Sequence, residues 1–317
     1  MPVSVMVPLH MTQLTAQEVL AQVQAGRALQ QKELSAIDLE GLQLDKGDFS
    51  EAYLRRAKLS RASCREANFS GATLIFASLV NTNLQAANLV NAILTQATLS
   101  QANLQQIVAK GAKFSGANVE AVNGEQAVLD EADFREAVGM RSQFPKASCL
   151  STAFSRADFE SANFENADLF RSQWQQASLL GASLVSTNLE KAIFEEANLS
   201  SANLSAANAL NADFKKAKLS DAILIKTQLD WANFTNAIFT NAKLMGASLF
   251  NTNLQGASLL GADFTDADLR EADFENAQME GVCLEGCKVK KAIFTGATGL
   301  TAEQKEWLKE NQALNVE

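Results

Sequence analysis

Side chains able to do chemistry are scarce in this chain of 317 residues. It has one histidine, His10, and one tyrosine, Tyr53, so most acid–base and metal chemistry lacks its usual residues. The cysteines are Cys64, Cys149, Cys283 and Cys287. The spacing Cys283-Leu-Glu-Gly-Cys287 is not the two-residue spacing of zinc or redox pairs, and the density is far below that of a disulfide scaffold. Reduced thiols in a cytoplasmic protein are expected. Carboxylates are plentiful, with Asp263, Asp266, Asp268, Glu271, Asp273 and Glu275 crowded into one stretch. Two carboxylates held a few ångströms apart can perform acid–base work, but only in a cleft that shifts their pKa values. There is no G-x-S-x-G, Walker loop or dinucleotide fingerprint. The expectation is a protein without catalytic residues, cofactor or metal.

The balance of 36 acidic against 27 basic residues, net −9, argues against phosphate-backbone binding, which needs clustered Lys and Arg. No apolar run approaches the roughly 20 residues of a membrane helix. The opening Met1-Pro2-Val3-Ser4-Val5-Met6-Val7-Pro8 lacks a basic start and carries two prolines, so it does not read as a signal peptide. Met11 is an alternative start.

What must position these residues is a repeat of five. From Leu39 to Phe294, residue numbers ending in 4 or 9 mark one equivalent position, and 42 of these 52 residues are Leu or Phe. Two residues earlier, 38 of 52 are Ala. None of these positions is charged and the phase never slips, so no loop other than a multiple of five interrupts the pattern. A five-residue period fits neither the helical 3.6 nor the strand 2.0 period. The chain must therefore turn a corner once per unit while keeping both apolar positions inside. A coil with four five-residue sides does this, with successive coils stacked at about 4.8 Å. One inner column, Phe114, Phe134, Phe154, Trp174, Phe194, Phe214, Phe234, Leu254, Phe274 and Phe294, collects aromatic residues at a twenty-residue spacing. That is expected if four units close one turn, because rings then stack on rings.

Units such as Ala102-Asn103-Leu104, Ala162-Asn163-Phe164 and Ala267-Asp268-Leu269 resemble the A-(N/D)-L-x-x motif of pentapeptide-repeat proteins. The resemblance covers about residues 37–297. It implies an all-β solenoid, a right-handed quadrilateral parallel β-helix; at four units per turn the repeat gives about 13 coils and a rod of roughly 60 Å. Some family members are acidic DNA mimics that bind DNA gyrase. Here Lys215, Lys216, Lys218, Lys288, Lys290 and Lys291 interrupt an acidic stripe, and the protruding loops of quinolone-protective relatives are absent.

A stacked coil exposes strand edges and core at its ends, so short capping α-helices are expected at both. Thr15 and Glu18 have capping-box spacing, Leu14 can staple to Val19, and Gly26 is placed to end the helix. Thr301 and Gln304, with Trp307 and Leu308 on the next turn, form the C-terminal counterpart. The chain divides into an N-terminal segment and cap (1–33), the repeat (34–298) and a C-terminal cap (299–317). The resemblance also implies a competing role for the C-terminal helix, homodimerisation.

Irregular units fall between residues 105 and 147. Ala109 and Gly124 lose bulk at the Leu position while Ile107 and Val122 gain it at the Ala position, a volume exchange within each unit. Gly139 has no such neighbour, which marks the stretch as a candidate bend or pocket, and a small-molecule site there is the enzymatic alternative. On the outside, Leu150, Phe170, Leu210 and Phe250 share one column, with Trp231 one position beyond and Val185, Ile225 and Met245 on the adjacent side. Together they predict an apolar strip for another protein. The expected function is a non-catalytic scaffold or adaptor, without membrane insertion or direct nucleic-acid binding.

Overall fold

The computed structural model describes residues 14–317; His10 and the choice between Met1 and Met11 lie outside the described residues. Every fifth residue from Glu33 to Gln278 forms a parallel bridge with the residue twenty positions on. Twenty residues are four units, so each coil has four sides. A rung is built from three hydrogen bonds, as where Leu39 N–H donates to Lys58 C=O (2.7 Å), Gly41 N–H to Ser60 C=O (3.0 Å) and Lys58 N–H to Ile37 C=O (2.8 Å).

The corners use the polar positions. At each, the Ala-position N–H donates back to the preceding Leu-position carbonyl, as Ala57 does to Leu54 at 3.0 Å. The residue before that Ala is left-handed, for example Arg56 (φ 57°) and Ser201 (φ 57°), as in a type II turn. This conformation costs a non-glycine residue about 1–2 kcal/mol, and rungs on both sides of the corner hold it. Asn and Asp brace the approach. Asn83 Oδ1 accepts from Gln85 N–H (3.1 Å) and from Asn103 Nδ2 of the next coil (3.2 Å).

The inside is continuous apolar packing. The aromatic column stacks as its spacing predicts: Phe114–Phe134 4.4 Å, Phe134–Phe154 5.3 Å, Phe154–Trp174 3.9 Å and Phe194–Phe214 4.8 Å between centroids. Where Thr replaces the inner Ala, its hydroxyl is satisfied by the coil below. Thr82 donates to Leu59 C=O (2.7 Å) and Thr187 to Phe164 C=O (2.9 Å).

Residues 105–147, the candidate bend or pocket, continue the ladder. Their rungs, from Asn103–Asn123 through Asn123–Gln143 to Val128–Ser148, keep the twenty-residue register. Ile107 and Val122 are buried, but most of the missing volume is exchanged between coils. A Cβ on Gly124 would run into the ring of Phe144, and one on Gly139 into the ring of Phe159. Gly139 thus has a partner after all, twenty residues away. The rings fill the interior beside both glycines, and the hollow in this stretch is a surface one of about 110 Å³ lined by Gln85, Gln105, Gln106, Glu125 and Gln126.

Helix α1 (Ala16–Gln24) and helix α2 (Ala302–Glu310) lie at the two ends of the chain's ladder. Both open with reciprocal capping boxes, Thr15 with Glu18 and Thr301 with Gln304. Val19 and Leu308 are buried, and Leu14, Leu20, Val23 and Trp307 pack against the same core. Gly26 follows α1 at φ 64°, a left-handed helix end that glycine takes without a side-chain clash. Beyond α2 the chain rejoins the rod. Leu314 N–H donates to Ala292 C=O (2.8 Å) and its carbonyl accepts from Phe294 N–H (3.0 Å), so the tail supplies part of one further side.

Candidate functional site

The crowded carboxylates are spread over three successive sides of the rod, and their partners are structural. Asp263 accepts from Thr265, Asp273 from Glu275 N–H and Gln255, and Glu271 pairs with Lys291 at 3.1 Å. Asp268 is gripped by Arg270 through Nε and Nη2 (2.8 and 2.7 Å), which holds its carboxyl below the ordinary 3.8. These are corner turns and surface pairs, not a converging site. Among the described residues no group of three His, Cys, Asp or Glu could hold a metal ion, and no helix is long and apolar enough to cross a membrane.

All four cysteines are free thiols. Burial pushes the Cys64 and Cys149 thiols far up and that of Cys287 up to about 12. Such thiols are poor nucleophiles. Cys283 alone is partly exposed.

On the lateral surface, the anticipated strip breaks into pieces. Leu150, Phe170, Leu210 and Phe250 do align in one column, but Glu190 and Asp230 stand between them in the same column. Those four, with Val185, Ile225 and Met245 on the adjacent side, are half-buried. Phe170 lies under Arg171 and Lys191 (5.0 and 5.6 Å from its centroid) and Phe250 under Arg270 (5.8 Å), so cations cover part of each ring. Trp231 is the member that protrudes, 48% exposed, edge-on to Phe250 at 5.8 Å. Its left-handed corner (φ 59°) lifts it outward. The reading by columns places these residues correctly; what it misses is the cation cover, which depends on long side chains reaching from neighbouring columns and coils. Tyr53 and Phe76 are exposed near the other end, with Arg55 and Arg56 both 5.9 Å from the Phe76 ring.

Lysines and carboxylates alternate along the rod rather than segregate. Lys215 and Lys216 sit over Glu195 and Glu196 of the preceding coil, at 3.9 and 2.9 Å.

Fold and surface define the class: a four-sided parallel β-solenoid with a filled interior and convex outer faces. A model of pentapeptide repeats matches residues 33–71, 48–85, 67–106, 77–116, 162–200 and 247–286, and a model of a pentapeptide repeat region matches 187–264. The chain belongs to the pentapeptide-repeat family. No curated protein matches it. Among solved structures it is similar to HetL, a pentapeptide repeat protein involved in heterocyst differentiation regulation from the cyanobacterium Nostoc sp. strain PCC 7120, at 29% identity over 62% of this chain and 89% of that one (TM-score 0.26). It is also similar to Rfr23 from the cyanobacterium Cyanothece 51142, at 30% identity over 38% and 85% (TM-score 0.25). QnrB1, a plasmid-mediated fluoroquinolone resistance protein, aligns at 16% identity over 88% and 98% (TM-score 0.32).

Proposed function

We propose that this chain is a rigid, non-catalytic scaffold of about 13 coils that engages another protein through its outer faces in the cytoplasm. The observation that carries the proposal is the Trp231–Phe250 pair. A tryptophan 48% exposed on a rod corner, set edge-on against a second ring at 5.8 Å, has the size and geometry of an interface anchor. Leu210, Ile225 and Met245 extend apolar surface around it, and Leu150, Phe170 and Val185 continue the patch toward earlier coils. The cations over Phe170 and Phe250 give it a polar rim, so a partner with matching carboxylates suits it best. Rigidity follows from the rungs, since each coil is held by its neighbours on all four sides.

The test is capture of a partner from the source cell, with wild type compared against Phe170→Ser, Trp231→Ser, Phe250→Ser combined. All three side chains point away from the core, so the far-UV spectrum of the variant should match wild type. A protein recovered specifically by wild type and lost with the variant supports the patch. Equal recovery by a normally folded variant places the interface elsewhere. Both chromatography of the free chain and a gyrase supercoiling assay belong in the same experiment, because a homodimer through α2 or inhibition of gyrase would replace this reading.

A further inference from the structure

The ladder ends unevenly at its C-terminal side, and the edge along Val282–Gly286 is left open. In a regular rung, the N–H of the inner residue and the N–H two positions on both donate to the next coil, as Phe264 does to Cys283 C=O (3.0 Å) and Asp266 to Glu285 C=O (2.8 Å). Along Val282–Gly286 that next coil is displaced by α2. Among the described residues, neither Leu284 N–H nor Gly286 N–H has a partner, although Leu284 is only 5% exposed. A donor shielded from water and left unpaired is costly. The remaining rung atom, Val282 C=O, accepts from the side chain of Gln304, Nε2 at 2.8 Å. This amide stands where a backbone N–H of a further coil would.

Between the edge and α2 runs a groove of about 530 Å³. Val282, Leu284 and Trp307 give it apolar walls, Cys283 opens into it, and its charged lining residues are Glu285 and Glu303. We propose that this groove binds an extended peptide as an added parallel strand, with an apolar residue at its centre and basic residues on either side. Two alternate peptide carbonyls accept from Leu284 and Gly286 N–H. The peptide's central side chain stacks on Leu284 as Leu284 stacks on Phe264 in the coil below, flanked by Trp307. Its basic side chains meet Glu285 and Glu303. The Gln304 side chain yields the Val282 carbonyl to a peptide N–H. This is strand addition, in which main-chain bonds supply affinity and alternate side chains supply specificity. It is independent of the lateral patch, which lies on earlier coils.

The probe is acetyl-Thr-Lys-Leu-Lys-Thr-amide added to the full chain, its lysines next to the leucine and on the opposite face of the strand. Two readouts are followed, hydrogen exchange at the Leu284 and Gly286 amides and alkylation of the Cys283 thiol. With saturating peptide both amides should exchange at least about tenfold more slowly, and Cys283 should react more slowly. Glu285→Lys with Glu303→Lys should weaken the peptide about tenfold or more with an unchanged far-UV spectrum. Unchanged exchange and alkylation at millimolar peptide would overturn the proposal. So would Cys283 protection with unprotected amides, because the peptide would then lie on α2 without joining the ladder.

Discussion

Two serines at equivalent inner positions carry opposite consequences. Ser142 and Ser172 both replace the inner Ala and both are fully buried. The hydroxyl of Ser172 accepts from Trp174 Nε1 at 2.9 Å, whereas Ser142 Oγ has no hydrogen-bond partner. Ser172→Ala leaves the indole N–H orphaned and should lower unfolding stability by about 2 kcal/mol, while Ser142→Ala removes an unsatisfied group and should raise it by about 1 kcal/mol. Denaturant melts of the two variants check this directly, and equal shifts would refute it. The sequence shows that both serines are inward, since they fall in the Ala column. It does not show which is satisfied, because that depends on which ring lies beside each hydroxyl. The same holds for Gly124 and Gly139. Compensation within a unit is visible as adjacent residues, but their actual partners, Phe144 and Phe159, sit a full coil away.

At the scale of the element, the corner is the unit that makes a five-residue side. Its left-handed residue is one of the outward positions. Arg, Glu, Lys, Ser and Trp occupy it, and so do Gly41, Gly71, Gly111, Gly181 and Gly261. The period alone implies a corner, and this glycine column is the sequence signal that locates it. Ser201 sits at such a corner with φ 57°. Ser201→Gly relieves the steric cost and should stabilise the rod by up to about 1 kcal/mol, the gain being reduced by the chain entropy of glycine. Ser201→Ile places a β-branched side chain in the least suitable backbone region and should destabilise it by about 1–2 kcal/mol. Thermal melts giving the reverse order would contradict the turn geometry. The two helices were more legible than the corners, because Thr15–Glu18 and Thr301–Gln304 are local signals that need no knowledge of the rod. The groove beside α2 was not legible, since it arises where the helix displaces a coil and leaves Leu284 and Gly286 unpaired.

For the whole molecule, the proposed function rests on shape. A filled interior leaves the outer faces and the ends as places to bind, and the surface charges are paired across coils more than they are gathered into one field. The lateral Trp231–Phe250 patch and the C-terminal edge are therefore separate proposed sites with separate tests. Both depend on the backbone returning to the same side every twenty residues and advancing one strand spacing each time. Spin labels on one corner column measure this, with Cys283→Ser removing the exposed native thiol. Labels at Ser161→Cys and Asn241→Cys are four coils apart, and labels at Asn81→Cys and Asn241→Cys are eight coils apart. Backbone separations of about 19 Å and about 38 Å are expected from the strand spacing, so the distance between labels should double as the sequence separation doubles. Two separations that do not scale in this way would contradict the four-sided rod and the binding surfaces proposed on it.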